Sequence, residues 1–273
     1  MVKRLLLAAL LLVNVSADEL LYGKIQELIG EKAFREHMGL IKIVFSPTGS
    51  YYNGERLDVV RVMETLRENN LITLDFGRPR QMEMTFSTVG SPLFFVKLME
   101  ETLRSIGYIR YNTVESRRDG EKFSWKISLS SEHATDPSML GGELLKRGCR
   151  ITDITRENSE RWVYEVNMLE AHLNLEPMVN GSQLRVNRLL DVYWLNVAHV
   201  QHITFNSLGA NNWYPYIAFF DADMNLLQVY KRDRKSWQVM LRAPKEAVYA
   251  KVADLYSMKN IKDGFHILGR GRK

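Results

Sequence analysis

The stretch EKFSWKISL, residues 121–129, returns thirty-nine residues later as ERWVYEVNM, residues 160–168. Both open with an acid and a base and then alternate large side chains with small or polar ones: Phe123, Trp125 and Ile127 in the first copy, Trp162, Tyr164 and Val166 in the second. Alternation of period two is the mark of a strand with one buried face. The signals before each copy also match. Ahead of the first, Phe95, Leu98, Met99, Thr102, Leu103 and Ile106 fall at three- and four-residue spacing, one face of a helix. That helix is expected to stop at Gly107, since glycine most readily takes the left-handed conformation that ends helices, and Tyr108, Ile109 and Tyr111 begin an extended run. Ahead of the second copy, Leu140, Leu144 and Leu145 precede Gly148, and Ile151 and Ile154 follow it.

An earlier copy starts at Arg56. Val59, Val62, Met63 and Leu66 share a helical face, Asn70 takes the cap position, and Ile72, Leu74 and Phe76 alternate. A turn at Gly77-Arg78-Pro79-Arg80 is expected to lead into a second strand with Met82, Met84 and Phe86. A leucine stands four residues before each cap: Leu66, Leu103 and Leu144. The caps lie 37 and 41 residues apart, within the range of tandem modules. The expected class is therefore α+β: three helix-strand-strand (αββ) repeats over residues 56–175, then a C-terminal antiparallel β-sandwich. Residues 18–55 read as an N-terminal helix with a degenerate module, in which Gly39 caps the helix and residues 41–45 form a strand. One helix on a two-stranded hairpin cannot bury a core alone, so such units lean on neighbours and leave hairpin edges to which another chain can add.

The first seventeen residues stand apart. Lys3 and Arg4 precede an apolar run from Leu5 to Val13, and Val15-Ser16-Ala17 supplies small residues before Asp18, the pattern of a secretory signal peptide cleaved after Ala17. The run is shorter than the roughly 20 residues that span a bilayer. The mature chain is expected to be periplasmic or secreted, with no integral membrane span. Hydrophobic residues make up 45% and charged residues 25%, as in ordinary folded proteins. Losing Lys3 and Arg4 leaves 35 bases against 32 acids, a surplus of only +3, which argues against a nucleic-acid partner.

After Met168 the pattern changes. EPMVNGSQ, residues 176–183, reads as a linker, and short candidate strands follow at 183–187, 192–197, 201–205, 216–220, 226–230, 237–241 and 247–256. They place a sandwich at 185–268 and a basic tail at 269–273. Strand lengths and the aromatic-rich WYPYIAFFD segment resemble carbohydrate-binding or galactose-binding-like sandwiches in pattern. Within it, Trp213 and Tyr214, after Asn211 and Asn212, form the candidate binding surface: flat rings and amides of the kind that stack on and hydrogen-bond to sugars. Tyr216, Ala218 and Phe220 are expected to point into the core. The competing reading of the loop rings is a hydrophobic plug beneath it.

No chemical motif stands out. DADMN, residues 221–225, begins like a calcium loop, but Leu226 stands where glycine is needed and Arg232 where glutamate is needed, so a hairpin turn is the simpler reading. His199 and His202 would face opposite sides of a strand, which disfavours a metal site. Glu100 and Glu101 read as a solvated helix face, and the single cysteine, Cys149, as a small buried residue. No catalytic residue, metal or cofactor is assigned. The leading expectation is an exported, non-enzymatic envelope protein, a modular protein-binding or scaffold component of a periplasmic assembly with envelope proteins as partners. Its arrangement resembles the small α/β modules that line up in periplasmic parts of secretion systems and motors. The alternative is a secreted carbohydrate- or peptidoglycan-binding protein, or a carbohydrate-active one, with a glycan partner.

Overall fold

The structure is a computed structural model that describes residues 18–187 and 191–271. The signal peptide expected at residues 1–17 and the last two residues lie outside the described residues. The protein is mixed α+β with several antiparallel sheets, and its contacts divide it into two compact units, the chain passing from one to the other between His172 and Leu173.

The first unit begins with α1 (18–29), α2 (Glu31–Glu36), α3 (Met38–Val44) and a small hairpin of β1 (Tyr52–Asn53) and β2 (Arg56–Leu57). Then come α4 (Val59–Glu68), β3 (Asp75–Val89), α5 (Pro92–Ser105), β4 (Asn112–Asp119), β5 (Lys122–His133), α6 (Pro137–Leu145), β6 (Arg150–Arg156) and β7 (Arg161–Asn167). One five-stranded sheet has the order β4-β5-β3-β7-β6. The two opening sequence stretches land on β5 and β7, which flank β3; β5 is antiparallel to it and β7 parallel. Phe123, Trp125 and Ile127 of β5, Met82, Met84 and Phe86 of β3, and Trp162, Tyr164 and Val166 of β7 are all buried. On that face Phe86 stacks on Tyr164 at 5.4 Å, and Phe95 of α5 meets Phe123 edge-on at 6.1 Å.

The helix ends follow the sequence closely. Asn70, Gly107 and Gly148 have φ of 55°, 96° and 67°. In each case the next amide donates to the carbonyl of the leucine five residues back: Leu71 to Leu66 (2.8 Å), Tyr108 to Leu103 (2.8 Å) and Cys149 to Leu144 (3.0 Å). The capping residue itself donates to the residue after that leucine, Arg67, Arg104 or Leu145. This pair of bonds is the Schellman motif, which satisfies carbonyls left over at a helix end. The recurring leucine is the residue whose carbonyl closes the outer bond and whose side chain is fully buried.

Three expectations need correction. The first αββ unit has no hairpin: residues 71–74 are not a strand, and Gly77-Arg78-Pro79-Arg80 lies within the single long strand β3 as an irregularity in its pairing with β5. Gly77, at φ 67°, donates its amide to Asp75, so the glycine and proline bend a strand instead of ending one. Residues 41–45 are helical up to Val44, with Gly39 inside α3; Ile41 and Phe45 are buried one turn apart while Ile43 is 73% exposed. The N-terminal helix expected ahead of Gly39 is broken at Gly30, φ 86°. Of the three expected units, α5-β4-β5 and α6-β6-β7 thus keep the order helix, then antiparallel hairpin.

The second unit has two four-stranded antiparallel sheets. One has the order β13 (Gln238–Arg242), β10 (Val200–Ser207), β15 (Phe265–Gly271), β8 (Gln183–Val186), and the other β12 (Leu226–Lys231), β11 (Pro215–Phe220), β14 (Tyr249–Asp254), β9 (Tyr193–Asn196). Residues of both sheets, including Ile203, Phe205, Phe265 and Ile267 from the first and Ile217, Phe219, Ala250 and Val252 from the second, belong to one buried cluster. Ile217 and Phe219 therefore supply the core, and Tyr216, Ala218 and Phe220 line the other face of β11, the reverse of the expected assignment. Strand β15 is not foreseen by the sequence. The basic tail expected from residue 269 begins inside it, at Gly269 and Gly271. Here they serve close approach: a Cβ on Gly269 would lie 3.0 Å from both Met178 and Val200.

Candidate functional site

A broad hollow lies in the first unit. Strand β6 is the last in its sheet, and beside it lie α1 and the β1–β2 hairpin. Together they enclose a groove of about 1090 Å³ with Leu20, Leu57, Val59 and Ile151 as its apolar wall. Thr152, in the lining, falls at a break in the β6–β7 register. The carbonyl of the edge residue Ile154 accepts a hydrogen bond from Lys24 of α1 at 3.4 Å, so it points away from β7. A lysine there stands in for the amide of a neighbouring strand.

Lys24 is held by Glu27 at 2.6 Å and Asp153 at 2.8 Å. Burial works against its charge, but the two carboxylates outweigh it and raise the ammonium above its ordinary value. The other charged groups on the lining include Glu19, Glu55, Glu170, Arg56 and Arg150, none of them in an ion pair among the described residues. The groove thus has an apolar wall, a mixed polar rim and a strand edge. Its volume lies at the upper end of the usual range for small-ligand pockets, roughly 300–1,000 Å³.

The residues singled out in the sequence lie in the second unit and divide. Trp213 is buried in the core, 1% exposed, with its indole N–H donating to the Ala253 carbonyl at 3.0 Å and its ring against Phe265 at 4.6 Å. Asn211 is also buried. Its amide donates to Gly264 at 2.8 Å and Ser207 at 3.1 Å, and its carbonyl accepts from the Asp263 amide at 2.9 Å. These two side chains are the plug under the loop. Asn212 is exposed and Tyr214 half-buried, its ring edge-to-face with Tyr256 at 5.1 Å. The exposed rings at this end include Trp237 and Tyr256, 64% and 62% accessible, and neither stands beside another aromatic in sequence.

The remaining sequence candidates take structural positions. Asp221 accepts from the Asp223 and Asn225 amides and from the Asn225 side chain, shaping the turn between β11 and β12. His202 is exposed on β10 and His199 is exposed before it, and among the described residues no three metal-ligating side chains cluster. Cys149 is buried, and desolvation pushes its thiol up to about 11. No described helix is long and apolar enough to cross a membrane.

No protein-family model and no curated protein matches the chain. Among solved structures, one described as "Crystal structure of accessory secretory protein 1,2 and 3 in Streptococcus pneumoniae" is similar over 36% of this chain and 66% of its own, with 12% identity and a TM-score of 0.19. The chain therefore spans less than two thirds of that neighbour's matched chain. A likeness at that score carries no argument about fold or role.

Proposed function

We propose that the chain is an exported, non-enzymatic envelope protein that acts as a protein-binding scaffold. In this reading α5-β4-β5 and α6-β6-β7 are tandem αββ units that display a partner-binding edge, and the two-sheet unit is a β-sandwich with a docking role of its own. The observation that carries the reading is the groove between α1 and β6. A strand edge recruits an extended segment through main-chain hydrogen bonds, while an apolar wall receives alternate side chains. Leu20, 53% exposed on α1, and Leu57 on the facing hairpin would supply that wall.

The test is a double substitution, Leu20→Glu with Leu57→Glu. Recovery of a protein partner from envelope extract should fall at least tenfold while the chain stays folded with a modestly lower melting temperature, because Leu20 is exposed and Leu57 only partly buried. Undiminished recovery would count against the groove, and recovery of glycan alone would favour the carbohydrate reading.

A further inference from the structure

At one end of the two-sheet unit, residues 208–214, 232–237 and 255–264 meet and hold one another. The Ser236 amide donates to Trp213 at 2.9 Å, Asn212 to Asn260 at 2.8 Å, and Leu255 to Tyr214 at 2.8 Å. Below them the Asp254 carboxylate accepts from the amides of Tyr214, Tyr256 and Ser257 and from the Asn260 side chain, at 2.7 to 2.9 Å. A platform tied in this way presents its outer side chains from a fixed base.

Those outer side chains are aromatic and basic. Trp237 and Tyr256 stand out by more than half their surface, among exposed Arg234, Lys235, Lys259 and Lys262. None of the four bases is paired with a carboxylate among the described residues. The nearby acids are engaged: Asp233 accepts from the Tyr256 hydroxyl, Asp254 is taken up by its four donors, and Asp263 binds the Ala210 amide at 2.7 Å. Charge over the chain points the same way. Residues 173–273 hold 14 Lys and Arg against 8 Asp and Glu, a surplus of +6, while the rest of the chain, with 23 against 24, stands at −1.

We propose that this loop end docks on an anionic phospholipid bilayer. Trp and Tyr rings settle at the level of lipid headgroups, and lysine and arginine beside them meet the phosphates. A stacked sugar suits the site less well. Tyr214 and Tyr256 meet at 81°, so they share no plane along which a glycan could lie, and the Tyr256 hydroxyl is already committed to Asp233.

The experiment uses the chain from Asp18 onward, which retains every described residue, with vesicles of phosphatidylcholine alone or mixed with phosphatidylglycerol. The chain should sediment with the anionic vesicles only and release in high salt as the charges are screened. Trp237 emission should shift to the blue on binding, a change lost in Trp237→Phe. A basic residue near an anionic leaflet is worth about fivefold in affinity, so Lys235→Glu with Lys259→Glu should weaken binding by about 25-fold or more. Trp237→Ser provides an independent arm should that double variant fold poorly. Equal binding to both vesicle types, no binding to either, or unaltered affinity in the charge-reversed protein overturns the proposal, as does preference for peptidoglycan or an acidic polysaccharide over vesicles. The groove variant Leu20→Glu with Leu57→Glu should bind vesicles normally, which separates failure here from failure of the scaffold reading.

Discussion

Gly107 and Gly148 occupy the same position in the same motif, yet they should not tolerate change equally. Both have positive φ, so alanine at either meets the left-handed penalty of about 1–2 kcal/mol. A Cβ on Gly107 would meet nothing within 4 Å, whereas one on Gly148 would fall 1.9 Å from the Glu170 carbonyl oxygen and 2.9 Å from the His172 ring. That adds an overpacking cost of about 1–3 kcal/mol. Gly148→Ala should therefore destabilise clearly more than Gly107→Ala in chemical denaturation, and equal losses would show that the stretch 170–172 yields freely. The caps were legible in the sequence because a cap is a local event: leucine, four-residue spacing and a residue that accepts positive φ are enough. The neighbour that closes over Gly148 comes from more than twenty residues downstream, and no local pattern announces it.

At the scale of elements, the quoted strands were readable because aromatic alternation survives any choice of partner, but which strands would neighbour each other was not. That β5 and β7 both lie against β3, in opposite directions, depends on the path of the chain. Turn chemistry misled in the opposite sense: Gly77 and Pro79 look like a hairpin, and the sheet absorbs them as a bend. The second unit shows the same limit. Asn211 to Tyr214 were recognisable as a special loop, but the sequence could not say which ring turns inward. Trp213 fills the space between Phe205 and Phe265, so Trp213→Ala should cost about 3–5 kcal/mol, within the range for buried aromatics. Trp237→Ala should leave the melting temperature nearly unchanged. A small loss for Trp213→Ala would contradict the plug assignment.

For the whole molecule, the two units differ in the kind of surface they offer. The first has an apolar-walled groove beside the edge strand β6; the second concentrates the chain's positive charge and displays two exposed rings on a hydrogen-bonded loop end. Such a division suits a scaffold, since one unit can hold a protein while the other sets location. Composition over the full chain concealed it, because a surplus of +6 in one unit and −1 in the other reads as a modest total of +5. The central claim is that the groove holds a protein segment, and site-specific photocrosslinking in the native envelope tests it most directly. A crosslinker at Leu57, on the groove, should yield a discrete adduct with another polypeptide, while one at Thr85, on the opposite face of the five-stranded sheet from the buried Met84 and Phe86, should not. Absence of a protein adduct from Leu57, or an equal yield from both positions, would contradict the account.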